Sequence, residues 1–378
     1  MTKRSAAIVG IGNTNYGSLY YDKDPERSDY DLAVDAFGQA VTDAGIDKSS
    51  IDAVLCMRIP SYVTFCDRVG LRHVRHTNYY EGDGRMSGLI IQHAVALIEA
   101  GLAETVACIY GNNGRSVAAK YGGEPRPNSP AEYDMMFGMT SPGAYVSMMY
   151  NRYRHLYGAP DDALAPLAIN NRKNGALNPD AVMQKPITYE EYMAARYIAE
   201  PLRLFDYCLI NDGGVAVIVT TAERARDLRK PPVYIRGSSS STDLTNFYTS
   251  KDMFFAASQM AAKEIYERSG LGPQDAKCLQ IYDNFTPTIL FTLEGFGYVP
   301  KGEAWQWVRD GRIELGGELP VNTAGGHTAE SYMQGWGHQV EAVRQVRGEA
   351  GARQIKDCDV AHYMCVSPLV VSHMFTKE

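Results

Sequence analysis

Apolar positions along the chain fall into two recurring patterns. Short apolar runs bounded by glycine read as buried strands, and stretches with apolar residues three and four apart read as amphipathic helices. The run AAIVGIG predicts a first strand. A helix over roughly 30–44 follows, with Leu32, Ala33, Ala36, Phe37, Ala40 and Val41 on one face and Gly45 as its stop. The turn IDKSS then leads into a strand at IDAVLCM.

The same order returns later in the chain. PPVYIRG reads as a strand, FFAASQMAAKEIYERS as an amphipathic helix stopped by Gly270, and LGPQDA as a turn into the strand KCLQIYD. Setting AGIDKSSIDAVLC against SGLGPQDAKCLQI aligns Gly45 with Gly270. Each half then continues alike. The loop YYEGDGRMSG, the helix LIIQHAVALIEAG and the strand ETVACIYG are answered by NTAGGHTAESYMQG, HQVEAVRQVRG and a final strand VAHYMCV. Strand, helix, turn and strand repeated in this way predict a duplicated, layered α/β fold with largely parallel strands. The predicted division is 1–111 with 206–225 for the first half and 226–378 for the second. Residues 112–205, rich in Tyr, Met, Pro and Asn, are too long for a simple connection and read as a helical cap over the site.

Composition narrows the possibilities. The chain has 378 residues, 45% hydrophobic and 21% charged, more than one compact core accommodates and suited to two closely packed domains. A net charge of -7 gives no reason to expect nucleic-acid binding. Seven cysteines form an odd set without a C-x-x-C pair. They read as reduced, mostly buried thiols, and no zinc-ligand spacing is present. The basic start MTKRSAAIVGIG has too short an apolar stretch for a signal peptide, and no run approaches a membrane span, so a cytoplasmic location is expected.

Several familiar chemistries fail on their residues. Gly10, Gly12 and Gly17 do not have the dinucleotide spacing, and no acidic residue ends the second strand. The loop Gly84-Arg85-Met86-Ser87-Gly88 is no G-x-S-x-G elbow. The eight histidines contain no H-E-x-x-H pair, and His93 reads as a core histidine on an apolar helix face.

Four other places carry a family resemblance. Arg85-Met86-Ser87-Gly88 stands where thiolases carry C-A-S-G, and Tyr282-Asp283-Asn284-Phe285 where they carry N-E-A-F or H-E-A-F. Asn322, Gly325 and Gly326 match N-x-x-G-G, while the following G-H-P has become Ser331-Tyr332-Met333. Cys365-Val366-Ser367-Pro368 takes the place of C-x-G-G-G. RKNGALNPDA and PLRLFDYCLINDGGVAVIV fit as well, so the chain resembles the thiolase superfamily over essentially its whole length. The resemblance implies two α/β halves in an αβαβα layering with a helical loop domain.

The substitutions remove the thiolase nucleophile, because a guanidinium stays protonated and cannot attack an acyl group. They add a tyrosine at each of two catalytic motif positions. Although 25 tyrosines make any single one unremarkable, two at independent motif positions carry more weight. A phenol donates or accepts a proton, so a pair suits cleavage of a β-hydroxyacyl-CoA without a covalent intermediate.

This pattern is similar to the steroid side-chain retro-aldolases of the sterol-carrier-type lipid-transfer thiolase branch. Their reaction turns a 17-hydroxy-3-oxo-pregnene-20-carboxyl-CoA into a 17-ketosteroid and propionyl-CoA. The resemblance implies Tyr282 and Tyr332 as an acid–base pair of unassigned order, with Asp283 and His327 tuning the phenols. It leaves His338 on the following helix. Arg85 would hold a carboxylate or close the space left by the cysteine. The backbone of Ser87 and Gly88 would line the pocket, Asn322, Gly325 and Gly326 would shape their loop, and Cys365 is the retained cysteine.

The resemblance further implies a CoA thioester as substrate, no cofactor or metal in this chain, and a homodimer with ETVACIYG as its seam. It implies a small zinc-ribbon and OB-fold partner that carries the zinc, in an α2β2 assembly. Two other readings stand beside this one. The first is a thiolase-like acyltransferase using a displaced cysteine, Cys66 or Cys365. The second is a non-catalytic subunit that binds a lipid or acyl-CoA.

Overall fold

β1 (Ala6–Asn13) is buried along its whole length. The helix Asp29–Ala44 lies directly on it, opened by a capping box between Ser28 and Asp31 and closed by Gly45 at φ 66°. A Cβ at Gly10 or Gly12 would overlap the carbonyl oxygens of Ala40 and Ala36. These glycines therefore let helix and strand backbones touch, which is their physical role here.

A computed structural model describes residues 4–82, 84–119, 134, 136–139, 141–245, 247 and 249–378. The first half continues through β2 (Ala53–Met57), β3 (His76–Tyr80), the helix Met86–Glu99 and β4 (Thr105–Asn112). A small ribbon follows, β5 (Tyr197–Ala199) with β6 (Leu202–Arg203), and then β7 (Gly213–Thr221). The second half runs β8 (Val233–Ser241), helix Phe255–Ser269, β9 (Cys278–Ile281), helix Trp336–Arg347, β10 (Val360–Cys365) and β11 (Val370–Thr376). Gly270 closes its helix at φ 71°, as Gly45 does in the first half.

Among the described residues, the large sheet has nine strands in the order β3-β2-β4-β7-β1-β8-β11-β10-β9. About the β1–β8 junction the order β2-β4-β7-β1 is mirrored by β8-β11-β10-β9, so the duplication read in the sequence is a pseudo-twofold of the fold. Three core clusters define the layers. One joins the helix Asp29–Ala44 to the outer face of the first half. One joins the helix Phe255–Ser269 to the second half and to the helices Pro142–Tyr157 and Ala165–Ala176. Between them, the helices Met86–Glu99 and Trp336–Arg347 each touch strands of both halves. This is the αβαβα arrangement.

Three expectations are corrected. The sheet is mixed: β2–β3, β2–β4 and β9–β10 run parallel, and the other neighbours antiparallel. VAHYMCV is not the final strand, because β11 returns against it as an antiparallel neighbour. ETVACIYG cannot be an edge-to-edge seam, since β4 is buried and hydrogen-bonded to β2 on one side and β7 on the other. Among the described residues, the open edge is β3. At the opposite edge, β9 is covered by the segment around Val321, where Leu279 donates to the Pro320 carbonyl and accepts from the Asn322 N–H.

The expected cap, 112–205, lies partly outside the described residues. Its described part supplies the helices Pro142–Tyr157, Ala165–Ala176 and Tyr189–Ala194. No helix among the described residues is long and apolar enough to cross a membrane.

Candidate active site

Tyr282 follows β9 and extends its ladder, its N–H donating to the Met364 carbonyl on β10 at 2.8 Å. Its ring enters the middle layer and is 3% exposed. Tyr332 lies in the loop before the helix Trp336–Arg347 and is half-buried. Its backbone N–H donates to Asn211 Oδ1 at 2.7 Å, tying that loop to the segment before β7. The two phenol oxygens stand 3.0 Å apart, within hydrogen-bonding distance.

Two glycines make room for this pair. A Cβ at Gly84 would overlap the Tyr282 hydroxyl, and one at Gly335 would crowd Tyr282, Ser87 and Tyr363 together. Gly335 also sits at φ 90°, which favours glycine. Burial pushes the Tyr282 phenol well above the usual tyrosine range, and the neighbouring Tyr332 and Cys365 push it further.

Behind the phenols lies a buried polar network centred on Asp283. Its Oδ1 accepts from the His327 backbone N–H at 2.8 Å and faces His338 Nε2 at 3.0 Å. Its Oδ2 accepts from Asn171 Nδ2 at 2.7 Å. His327 Nε2 accepts the Gly335 N–H at 2.9 Å, and its Nδ1 faces Asp283 Oδ1 at 3.4 Å. Burial holds the His327 imidazole well below its ordinary range, and His338 adds to this.

Asp283, His327 and His338 place donor atoms within 4.8 Å of one another, close enough to consider a metal ion. Because His327 Nε2 accepts a backbone proton, the neutral ring carries its own proton on Nδ1, the atom that would have to ligate. The trio therefore fits a hydrogen-bonded network better than a metal centre.

The other candidates separate by role. Ser87 Oγ donates to the Gly84 carbonyl at 3.0 Å and lies 3.3 Å from the Tyr363 hydroxyl, beneath the phenols. Gly88 is packed under Val371 and Tyr363, and its carbonyl faces His373 at 2.9 Å, so it joins the helix to β11 instead of lining a pocket. Asn322 clamps β9 through both its amide atoms, accepting the Ile281 N–H at 2.7 Å and donating to the Ile281 carbonyl at 2.9 Å. Gly325 packs against Gly175 of the helix Ala165–Ala176, and a Cβ on Gly326 would overlap the Asp283 carboxylate. These three residues shape their loop.

Arg85 begins the helix Met86–Glu99 with its charge near Cys365. Burial nevertheless pushes the Cys365 thiol up to about 12. Cys66 packs with Phe37 and Phe65 in the outer cluster of the first half, across the sheet from the phenols. His93 is half-buried and pairs with the Tyr80 hydroxyl at 2.8 Å, away from the core role expected of it. Sequence reasoning missed Asn171, Asn211, Gly84 and Gly335. The glycines were visible in their loops, but nothing local marked the two that face a phenol; Asn211 lay in a stretch that fits the family but had no role assigned, and Asn171 carried no signal. A surface cleft of about 760 Å³ around Arg4, Tyr234, Arg236 and Lys377 lies at the far end of the strands and contains none of these residues.

Comparison with known proteins identifies the family. Residues 239–376 match the thiolase C-terminal domain-like family. The chain is 35% identical to the steroid side-chain-cleaving aldolase of Thermomonospora curvata, over 91% of this chain and 90% of that one. It is 34% identical to the 17-hydroxy-3-oxo-4-pregnene-20-carboxyl-CoA lyase of Mycobacterium tuberculosis, over 92% and 93%. The solved structure of an Ltp2-ChsH2(DUF35) aldolase superposes with a TM-score of 0.90 at 32% identity, covering 98% of this chain and 97% of that one. With this identity and coverage, the chain belongs to the thiolase-fold family of carbon–carbon lyases that includes the steroid side-chain-cleaving aldolase.

Proposed function

We propose that the chain is a retro-aldolase acting on a β-hydroxyacyl-CoA, with 17-hydroxy-3-oxo-pregnene-20-carboxyl-CoA as its substrate and a 17-ketosteroid and propionyl-CoA as products. The observation that carries this reading is the pair of phenol oxygens 3.0 Å apart where related thiolases keep catalytic polar groups. The names of the two similar lyases support the substrate class.

The chemistry balances without a cofactor. The substrate hydroxyl gives its proton to one phenol oxygen, and the carbon–oxygen bond becomes a carbonyl. The bond between the α and β carbons breaks, and its electron pair passes to the thioester as an enolate. The first phenol's own proton moves across the 3.0 Å hydrogen bond, and the second phenol protonates the α carbon. Three protons each shift one place, so neither phenol has to stand as a free phenolate. Tyr332, the more exposed ring, suits the hydroxyl end, and Tyr282, which burial keeps protonated, suits the α carbon.

A thiol route has less support, because Cys365 is buried with its thiol pushed up to about 12 and Cys66 lies across the sheet. We further propose a homodimer paired through the open edge of β3 and a small zinc-ribbon and OB-fold partner in an α2β2 assembly. The similar solved structure, whose name couples its aldolase with a DUF35 component, supports a partner of this kind. A cytoplasmic location completes the proposal.

The test is co-expression with the partner and incubation with the 17-hydroxy steroid CoA thioester, followed by chromatography for both products. Cleavage by the wild type supports the reading. A folded complex that leaves this substrate and shorter β-hydroxyacyl-CoAs intact overturns it.

A further inference from the structure

The His327 imidazole lies against both phenols. Its centroid is 4.6 Å from that of Tyr282 at an interplanar angle of 80°, and 4.9 Å from that of Tyr332 at 73°. Both are edge-to-face contacts, an arrangement that fixes one ring against another by shape and quadrupole. A third ring, His338, closes on His327 from the other side at 4.3 Å and 73°.

The imidazole is itself held from several directions. Its backbone N–H donates to Asp283, its Nε2 accepts from Gly335, and its Nδ1 faces the same carboxylate. Asp283 is in turn anchored by Asn171 and His338. Neither ring nitrogen is turned to a phenol oxygen, because one faces a backbone N–H and the other a carboxylate. The ring therefore meets the phenols through edge-to-face contact, and neither ring nitrogen is hydrogen-bonded to a phenol oxygen.

We infer that His327 is a positioning residue, a rigid wedge that sets the Tyr282–Tyr332 hydrogen bond through ring contact while the Gly335 N–H fixes its tautomer. The inference rests on the retro-aldolase reading for its effect on catalysis, but its geometric content stands apart from that reading. It explains why a buried carboxylate with its own set of hydrogen-bond partners lies directly behind a pair of neutral phenols. Fixing reacting groups in a productive geometry is worth large rate factors, and small displacements forfeit them.

The first test uses the unmodified complex. Nitrogen NMR of the histidine-labelled protein is expected to show His327 as a neutral ring with its proton on Nδ1 from pH 6 to 9. The groups facing it are Asp283, His338, Tyr282 and Tyr332. An Nε2–H ring, or one that titrates in this range, overturns the inference.

The second test compares His327→Gln with His327→Phe, both checked for folding. Phenylalanine keeps a ring against both phenols, and glutamine keeps only polar atoms. The expected result is a fall in kcat of about 10²-fold for His327→Gln, partly recovered in His327→Phe, with KM little changed and the pH profile unaltered. Near-normal kcat in His327→Gln beside a dead His327→Phe overturns the wedge. Should the wild type cleave nothing, the retro-aldolase reading falls. The wedge is then judged by a crystal structure of His327→Gln, in which the phenol oxygens are expected to part beyond hydrogen-bonding distance. Oxygens that stay at 3.0 Å overturn it.

Discussion

The hydroxyls of Tyr282 and Tyr332 meet at 3.0 Å although fifty residues separate them in the chain. One follows a strand of the second half, and the other precedes a helix of the middle layer. Their meeting depends on Gly84 from the first half, whose missing side chain leaves space for the Tyr282 hydroxyl. The site is thus assembled by both halves of a duplicated fold, and each prediction below tests one part of that assembly.

Removing either phenol oxygen breaks the proton path. Tyr282→Phe and Tyr332→Phe are each expected to lower kcat by about 10²- to 10⁴-fold, the usual worth of general acid–base catalysis. Circular dichroism and sizing should be unchanged, because a ring of the same shape remains. Product chromatography checks the rate, and cleavage that survives both changes removes the mechanism.

Gly84→Ala should imitate the loss of Tyr282. The new methyl overlaps the phenol hydroxyl, so the ring must turn away from Tyr332. The expected outcome is a fall in kcat comparable to that of Tyr282→Phe, with the thermal midpoint lowered by only a few degrees. A fully active Gly84→Ala enzyme would show that the phenol has room to spare.

No acyl group should be found on a cysteine. Intact-mass spectrometry after incubation with substrate should show no adduct at Cys365 or Cys66. Cys365→Ser should keep its activity within about tenfold, since a buried, protonated thiol is a poor nucleophile. A covalent acyl adduct would move the reading to acyl transfer.

Stability should carry the signature of Glu330. Burial pushes this carboxyl up to about 8, and the nearby Glu341 adds to the rise. The unfolded chain ionises near the ordinary carboxylate value while the native state keeps the proton. The stabilising contribution is therefore complete below the ordinary carboxylate value and is lost progressively as pH rises from there to about 8. The thermal midpoint of the wild type should fall over this window, and Glu330→Gln should flatten the fall. Parallel profiles for the two proteins would refute the assignment.

The legible part of the sequence was its local order. Gly45 and Gly270 end equivalent helices at nearly the same φ, and the elements around them repeat as the apolar pattern required. The two tyrosines were also legible, because each replaces a polar group within a motif. The mixed sheet was not. β7 and β11 have the same apolar runs that parallel strands would have, and direction depends on how a segment returns to the sheet. For the same reason ETVACIYG resembled a seam, although tertiary pairing places β4 in the interior.

By itself the sequence determined the elements, their duplication and the exchange of a nucleophile for two phenols, since periodicity, helix stops and motif substitutions are local properties. Only the tertiary structure decided that the phenols touch, and that Asn171, Asp283, His327 and His338 form one network behind them. Those contacts join residues up to more than a hundred positions apart, and their geometry is set by how the two halves and the helix Ala165–Ala176 pack together.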